Sequence, residues 1–139
     1  MKFALRLVVL CLVFMAVWSS RASAQEEQES IVSIYRVAPG QHTAFMQWMA
    51  DQEAAATDAG VPASQWYVHL NGDSWDFLSI APDLTDEQDA AVDAAAQARG
   101  LKTGPAGSIE LRRFIASHTD TYVAGPMTAA ELVAGAQEN

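Results

Sequence analysis

Residues 31–37, IVSIYRV, are rich in β-branched and aromatic side chains and read as a strand. Ala38-Pro39-Gly40 stops it. Over residues 41–57 the apolar period changes: Phe45, Trp48, Met49, Gln52 and Ala56 fall on one helical stripe, closed by Asp58-Ala59-Gly60 and Pro62. Residues 65–80, QWYVHLNGDSWDFLSI, are two aromatic-rich runs around Asn71-Gly72, a strong hairpin signal. Ala81-Pro82-Asp83 ends the second run, and Thr85 with Gln88 three positions on predicts a capping box opening an alanine-rich helix to about Ala98. A break over residues 100–107 follows, and Ser108 restarts a helix carrying Ile109, Phe114 and Ile115 to near Ser117. Residues 119–124 predict the last strand, and Thr128 with Glu131 a short capped terminal helix after Gly125-Pro126.

The order is strand, helix, strand, strand, broken helix, strand, then an extra C-terminal helix. This βαββαβ pattern predicts an α+β, ferredoxin-like fold with both helices on one face of the sheet. Right-handed crossovers give the spatial order 4-1-3-2, every neighbour antiparallel. In a domain this small the second sheet face needs covering, and a second copy of the chain is the usual answer, so a homodimer is expected.

The N-terminus changes the chain to be reasoned about. Lys2 and Arg6 precede an apolar run, and Ala22-Ser23-Ala24 gives a small-x-small cleavage pattern, so residues 1–24 are expected to be a signal peptide. Read instead as an anchor, the run is short for a span of roughly 20 residues. Cys11 lies inside it, after Val8-Val9-Leu10 and not after the small residues a lipoprotein site wants. The expectation is an exported, periplasmic protein, off the membrane once cleaved. Residues 25–30 read as a flexible leader, 31–125 as the domain, and 126–139 as the C-terminal helix and tail.

Without residues 1–24, five basic side chains (Arg36, Arg99, Lys102, Arg112, Arg113) face 17 acidic ones, a net charge of −12. Such a chain repels nucleic acid and anionic surfaces. No cysteine remains, so neither disulfides nor a thiol nucleophile are available.

The stretch IVSIYRVAPGQHTAFMQWM, a strand running through Pro-Gly into a helix with an early Phe, resembles the dimeric α/β-barrel superfamily. That group includes antibiotic-biosynthesis-type monooxygenases and NIPSNAP-like proteins. The hairpin and the ending HTDTYVAGPMTAAEL fit an exported branch of it, and the resemblance covers about residues 31–125. It implies a fold and a dimer, with any ligand held in the barrel interior. It does not imply one reaction, because members include cofactor-free oxygenases, haem-degrading enzymes, isomerases and proteins without known activity.

Parity sorts the hairpin. With a two- or four-residue loop, Trp66, Val68, Leu70, Trp75 and Phe77 share an apolar face that belongs under the helices. Tyr67, His69, Asp76, Leu78 and Ile80 share the other. Tyr67, His69 and Asp76 are therefore the candidate catalytic groups. Topology brings His42, His69 and His118 to one end of the domain, with Asp73 and Asp120 near and His42 beside His118. Tyr35, His42, His118 and Arg112 are the candidate ligand contacts, Arg112 as an anion partner. Three strand gaps put His69 and His118 roughly 14 Å apart, too far to share a metal. No Gly-rich phosphate loop, CxxC, HExxH, EF-hand or Gly-x-Ser-x-Gly pattern occurs, so no cofactor or metal is expected. Three functions stay open: a dimer binding a small, partly apolar molecule, a cofactor-independent monooxygenase-like enzyme on an aromatic or polyketide-like substrate, or a structural, partner-binding dimer.

Overall fold

The computed structural model describes residues 29–137. The signal-peptide reading and most of the leader lie outside those residues. Strand β1 spans Glu29–Val37, helix α1 His42–Asp58, β2 Gln65–Val68 and β3 Phe77–Pro82. Helix α2 spans Asp86–Ala98, α3 Gly104–Leu111, β4 Ile115–Ala124 and α4 Ala129–Gln137. The four strands form one sheet in the order β2-β3-β1-β4, each pair antiparallel. This is the expected ferredoxin-like α+β arrangement. Among the described residues no helix is long and apolar enough to cross a membrane.

Alternation along β1 separates two sheet faces. Ser33, Tyr35 and Val37 are buried, while Ile34 and Arg36 between them are exposed. The register carries the buried face across to Phe77, Ser79 and Trp66. Phe45 of α1, fully buried, seals it through ring contacts with Tyr35, Trp66 and Phe77 at 5.1–6.3 Å. Burying that one side chain contributes about 3 kcal/mol. Helices α1 and α2 pack on each other, and their buried residues include Ala55 and Ala96, both essentially without exposure.

Caps and polar ties set the helix ends. Thr85 and Gln88 form the predicted capping box on α2. Thr128 and Glu131 exchange the same pair of bonds before α4, and the accepted N–H and O–H hold the Glu131 carboxyl below its usual range. Arg99 at the end of α2 pairs with Asp58 at the end of α1 at 2.6 Å. Glu110 of α3 takes Lys102 at 3.0 Å and the Trp48 indole at 3.2 Å, fixing α3 against α1.

Four boundaries differ from the sequence reading. β1 begins at Glu29, inside the stretch read as leader. The helix restarted after the break begins earlier, at Gly104, with Pro105 in its first turn. It ends at Leu111 and not near Ser117, because residues 115–117 join β4 and pair with Arg36 and Val37 of β1. The Asn71-Gly72 hairpin turn is not a two-residue loop: β2 stops at Val68, β3 starts at Phe77, and residues 69–76 form an irregular connection. Its polar side chains find other partners. Arg36 binds both the Ser74 carbonyl, at 2.7 Å, and the Ser74 hydroxyl, while Asp73 accepts from the Ser74 N–H.

The second sheet face is left uncovered. It carries Val32, Ile34, Leu78, Ile80 and Tyr67, with Ile34 38% and Tyr67 48% exposed. Beyond Ile115, β4 is exposed on both faces apart from half-buried Val123.

Candidate functional site

The odd-sum register holds, since Tyr67 pairs with Leu78 and His69 N–H bonds the Asp76 carbonyl at 2.9 Å. The side chains nevertheless diverge, and the Tyr67–His69–Asp76 group does not assemble. Tyr67 lies on the open face with its hydroxyl on Gln65 Oε1 at 3.1 Å. The His69 ring packs on Trp75 at 4.8 Å, and its Nε2 is buried without a hydrogen-bond partner. Asp76 turns towards β1 instead. Its Oδ2 accepts the Val37 N–H at 2.7 Å and its Oδ1 lies 3.2 Å from His42 Nε2. The Val37 bond is the largest influence holding the Asp76 carboxyl below its usual range, with His42 and Arg36 adding to it against partial desolvation. The apolar side of the hairpin is also cut short: Trp66 and Phe77 sit under α1, but Val68 on the last rung is 62% exposed and Leu70 beyond it 89%.

The histidines lie towards the end of β1 but in separate settings. His42, at the first position of α1, sits on the β3 side beside Asp76 and the Phe77 ring. It is therefore not the neighbour of His118, because α1 starts over β3 and not over β4. His118 is inside β4, directly opposite Tyr35 of β1. Arg112 is exposed at the C-terminal end of α3 and takes part in neither His–Asp pair.

Tyr35, His118 and Asp120 do come together. The two rings stack at 6.0 Å and 13°, and His118 Nε2 lies 3.3 Å from Asp120 Oδ2. On its other side Tyr35 stacks on Trp66 at 5.9 Å. Burial pushes the Tyr35 phenol above its ordinary range, hydrogen bonds to Ser33 and Ser79 pull it partly back, and the Asp120 charge adds to the rise. Ser33 and Ser79, cross-strand partners, are the buried polar residues of the described core. The Tyr35 hydroxyl is engaged by Ser33 and Ser79, so the His118–Asp120 pair is the part of this group able to exchange a proton with an adjacent acid or base.

A hollow of about 380 Å³ opens on the uncovered face, at the opposite end of the sheet from the histidines. Gln65, Tyr67, Ile80, Val123 and Pro126 line it. Sequence reasoning found Tyr67 by parity but missed Gln65, Val123 and Pro126, which meet only once β2 and β4 lie on the two flanks of the β3–β1 pair. Ser33 and Ser79 were also passed over. Their signal was present as lone serines at inward positions of otherwise apolar strands.

No family model matches the chain, and no curated protein matches it in sequence. Solved structures do resemble it. SnoaB, a cofactor-independent oxygenase from Streptomyces nogalater, superposes with a TM-score of 0.50 at 12% identity, covering 74% of this chain and 97% of its own. A putative antibiotic biosynthesis monooxygenase from Nitrosomonas europaea gives 0.51 at 12% identity, covering 73% and 93%. A NIPSNAP-like domain protein from Burkholderia xenovorans is a looser match, at 0.47 and 14% identity over 76% and 90%. At such identities the likeness is one of fold: the chain shares the ferredoxin-like architecture of SnoaB and the Nitrosomonas protein.

Proposed function

We propose that the protein is exported and binds a small, partly apolar molecule in the hollow on its open sheet face, as a homodimer whose two sheets face each other. The observation that carries this reading is the hollow itself. Its volume of about 380 Å³ falls in the range of roughly 300–1,000 Å³ typical of small-molecule sites. Its apolar walls carry three polar side chains, Ser30, Gln65 and Tyr67, the last two joined by a hydrogen bond. A second copy laid on Ile34, Leu78 and Ile80 encloses the hollow and covers the apolar face that a lone protomer leaves to water.

Native mass spectrometry of the purified protein tests this. The expected result is a dimer carrying extra mass from a co-purified organic molecule, each subunit beginning at Gln25. A bare monomer overturns the reading, and a dimer that stays empty after exposure to a panel of aromatic and polyketide-like compounds supports the purely structural alternative.

A specific observation favours a second reading, a cofactor-independent oxygenase like the one whose fold the chain shares. In this reading His118, stacked on Tyr35 and paired with Asp120, takes a proton from an aromatic hydroxyl, the imidazolium then being stabilised by the carboxylate. Oxygen uptake with an aromatic or polyketide-like substrate, lost in His118→Ala, distinguishes this reading from binding alone.

A further inference from the structure

On the helix side of the sheet, across β3 from the hollow above, a narrow cleft of about 210 Å³ lies between α1, α2 and the β2–β3 edge. Met49, Val61, Trp66, Leu84 and Val92 give it apolar walls. Two polar side chains of α1 reach the same cleft, Gln52 and Glu53. Glu53 is already engaged, its Oε1 accepting the Ser64 N–H at 2.8 Å and the Trp66 indole N–H at 3.4 Å. Gln52 is not: its Nε2 is buried and has no hydrogen-bond partner.

An amide donor in such a place opposes folding, because it has given up water and received nothing in return. A methionine or leucine of similar size would fill the same space at lower cost. The Glu53 carboxylate beside it is held by its two donors and does not relieve the amide. What the cleft lacks is an acceptor, and its walls select what can bring one in.

We propose that this cleft is a second binding site, for a small apolar molecule bearing one hydrogen-bond acceptor such as a ketone or ester carbonyl, which receives the Gln52 amide N–H once the amide turns from its buried position to face the cleft. Trp66 supplies a flat wall for a ring, and Met49 an adaptable one. The volume equals that of about seven liquid waters, which suits a single substituted ring. The site needs no second subunit, so it stands or falls independently of the dimer, although Pro62, Ala81 and Pro82 border both this cleft and the hollow on the open face.

The test compares acetophenone with ethylbenzene, which has the same outline but no acceptor, by titration calorimetry and by quenching of tryptophan fluorescence. The unaltered protein is expected to bind acetophenone tighter by roughly tenfold. Gln52→Met is expected to abolish that preference and to raise the melting temperature by roughly 5 °C, since an unpaired polar group has been removed. Equal or absent binding of the two probes, a preference that survives in Gln52→Met, or a variant that melts lower than the parent each overturns the proposal. The last outcome means that the amide holds the fold together through an internal bond. Should Gln52→Met fail to fold, Gln52→Glu replaces the donor by an acceptor in the same shape and must also lose the preference.

Discussion

The His118 imidazole lies face to face with the Tyr35 phenol, ring centres 6.0 Å apart and planes within 13°. The stack helps keep water from a tyrosine whose ionisation burial already disfavours. A raised folded-state value means that Tyr35 stabilises the fold fully below the ordinary tyrosine range and loses that contribution as pH rises through the higher folded value. His118→Ala is expected to move the Tyr35 transition down in a spectrophotometric alkaline titration and to cost about 1 kcal/mol at neutral pH. An unmoved transition shows that the imidazole does not shield the phenol.

Asp76 gives the opposite sign. Its folded-state value is lowered, first by the Val37 N–H and then by His42 and Arg36. Its stabilisation is therefore present above the ordinary aspartate value near 4 and lost as pH falls through the lower folded one. Asp76→Asn is expected to destabilise by about 1 kcal/mol at pH 7. In urea melts the gap between parent and variant should close below about pH 4. A gap unchanged at pH 2.5 assigns the effect to something other than the carboxylate.

The open sheet face predicts an association phenotype. Ile34 is 38% exposed in one protomer and sits centrally on that face, between Leu78 of β3 and Thr119 of β4. Ile34→Glu should dissociate the proposed dimer in sedimentation velocity, since two like charges would then face each other across a two-fold axis. Sedimentation of the variant as a dimer places the interface elsewhere.

Gly107 makes a prediction against the usual propensity rule. An alanine in a helix interior ordinarily stabilises by about 1 kcal/mol relative to glycine. Here a Cβ would stand 2.8 Å from the Lys102 carbonyl oxygen, and backbone cannot step aside cheaply. Gly107→Ala is expected to destabilise by about 1–2 kcal/mol. Gly135→Ala in α4, where a Cβ meets nothing within 4 Å, should be neutral or stabilising. Thermal melts of the two variants should shift apart, with the first below the parent.

Much of the fold was legible because its signals are local or topological. Thr85/Gln88 and Thr128/Glu131 sit three positions apart and bond across one turn. The strand order follows from alternation and crossover handedness, without any long-range contact being known. The end of α3 was not legible, because Phe114-Ile115 suits a helix face or a strand start equally well. What decides is the need of Arg36 and Val37 for partners on β4. Asp76 does lie opposite His69, but its side chain turns away from Tyr67 and His69. Parity reports which residue lies opposite, whereas a carboxylate just past a ladder's last rung turns to the nearest free N–H, here that of Val37. The unpaired Gln52 amide left no trace at all in the sequence, since it is defined by a partner that is missing.

The exposed edge of β4 has a consequence for how copies of this chain can meet. One side of the strand carries His118 and Asp120, the other Thr119 and Thr121, and all four are exposed. Such a rim anneals poorly to a neighbour's strand, so edge-on growth, which has no natural end and leads to fibres, is discouraged. In the proposed dimer contact runs instead over the broad flank of the sheet, where a two-fold rotation is complete after a single pairing. The acidic, hydroxyl-rich border thus acts as a stop on chain-to-chain growth while leaving the flank free.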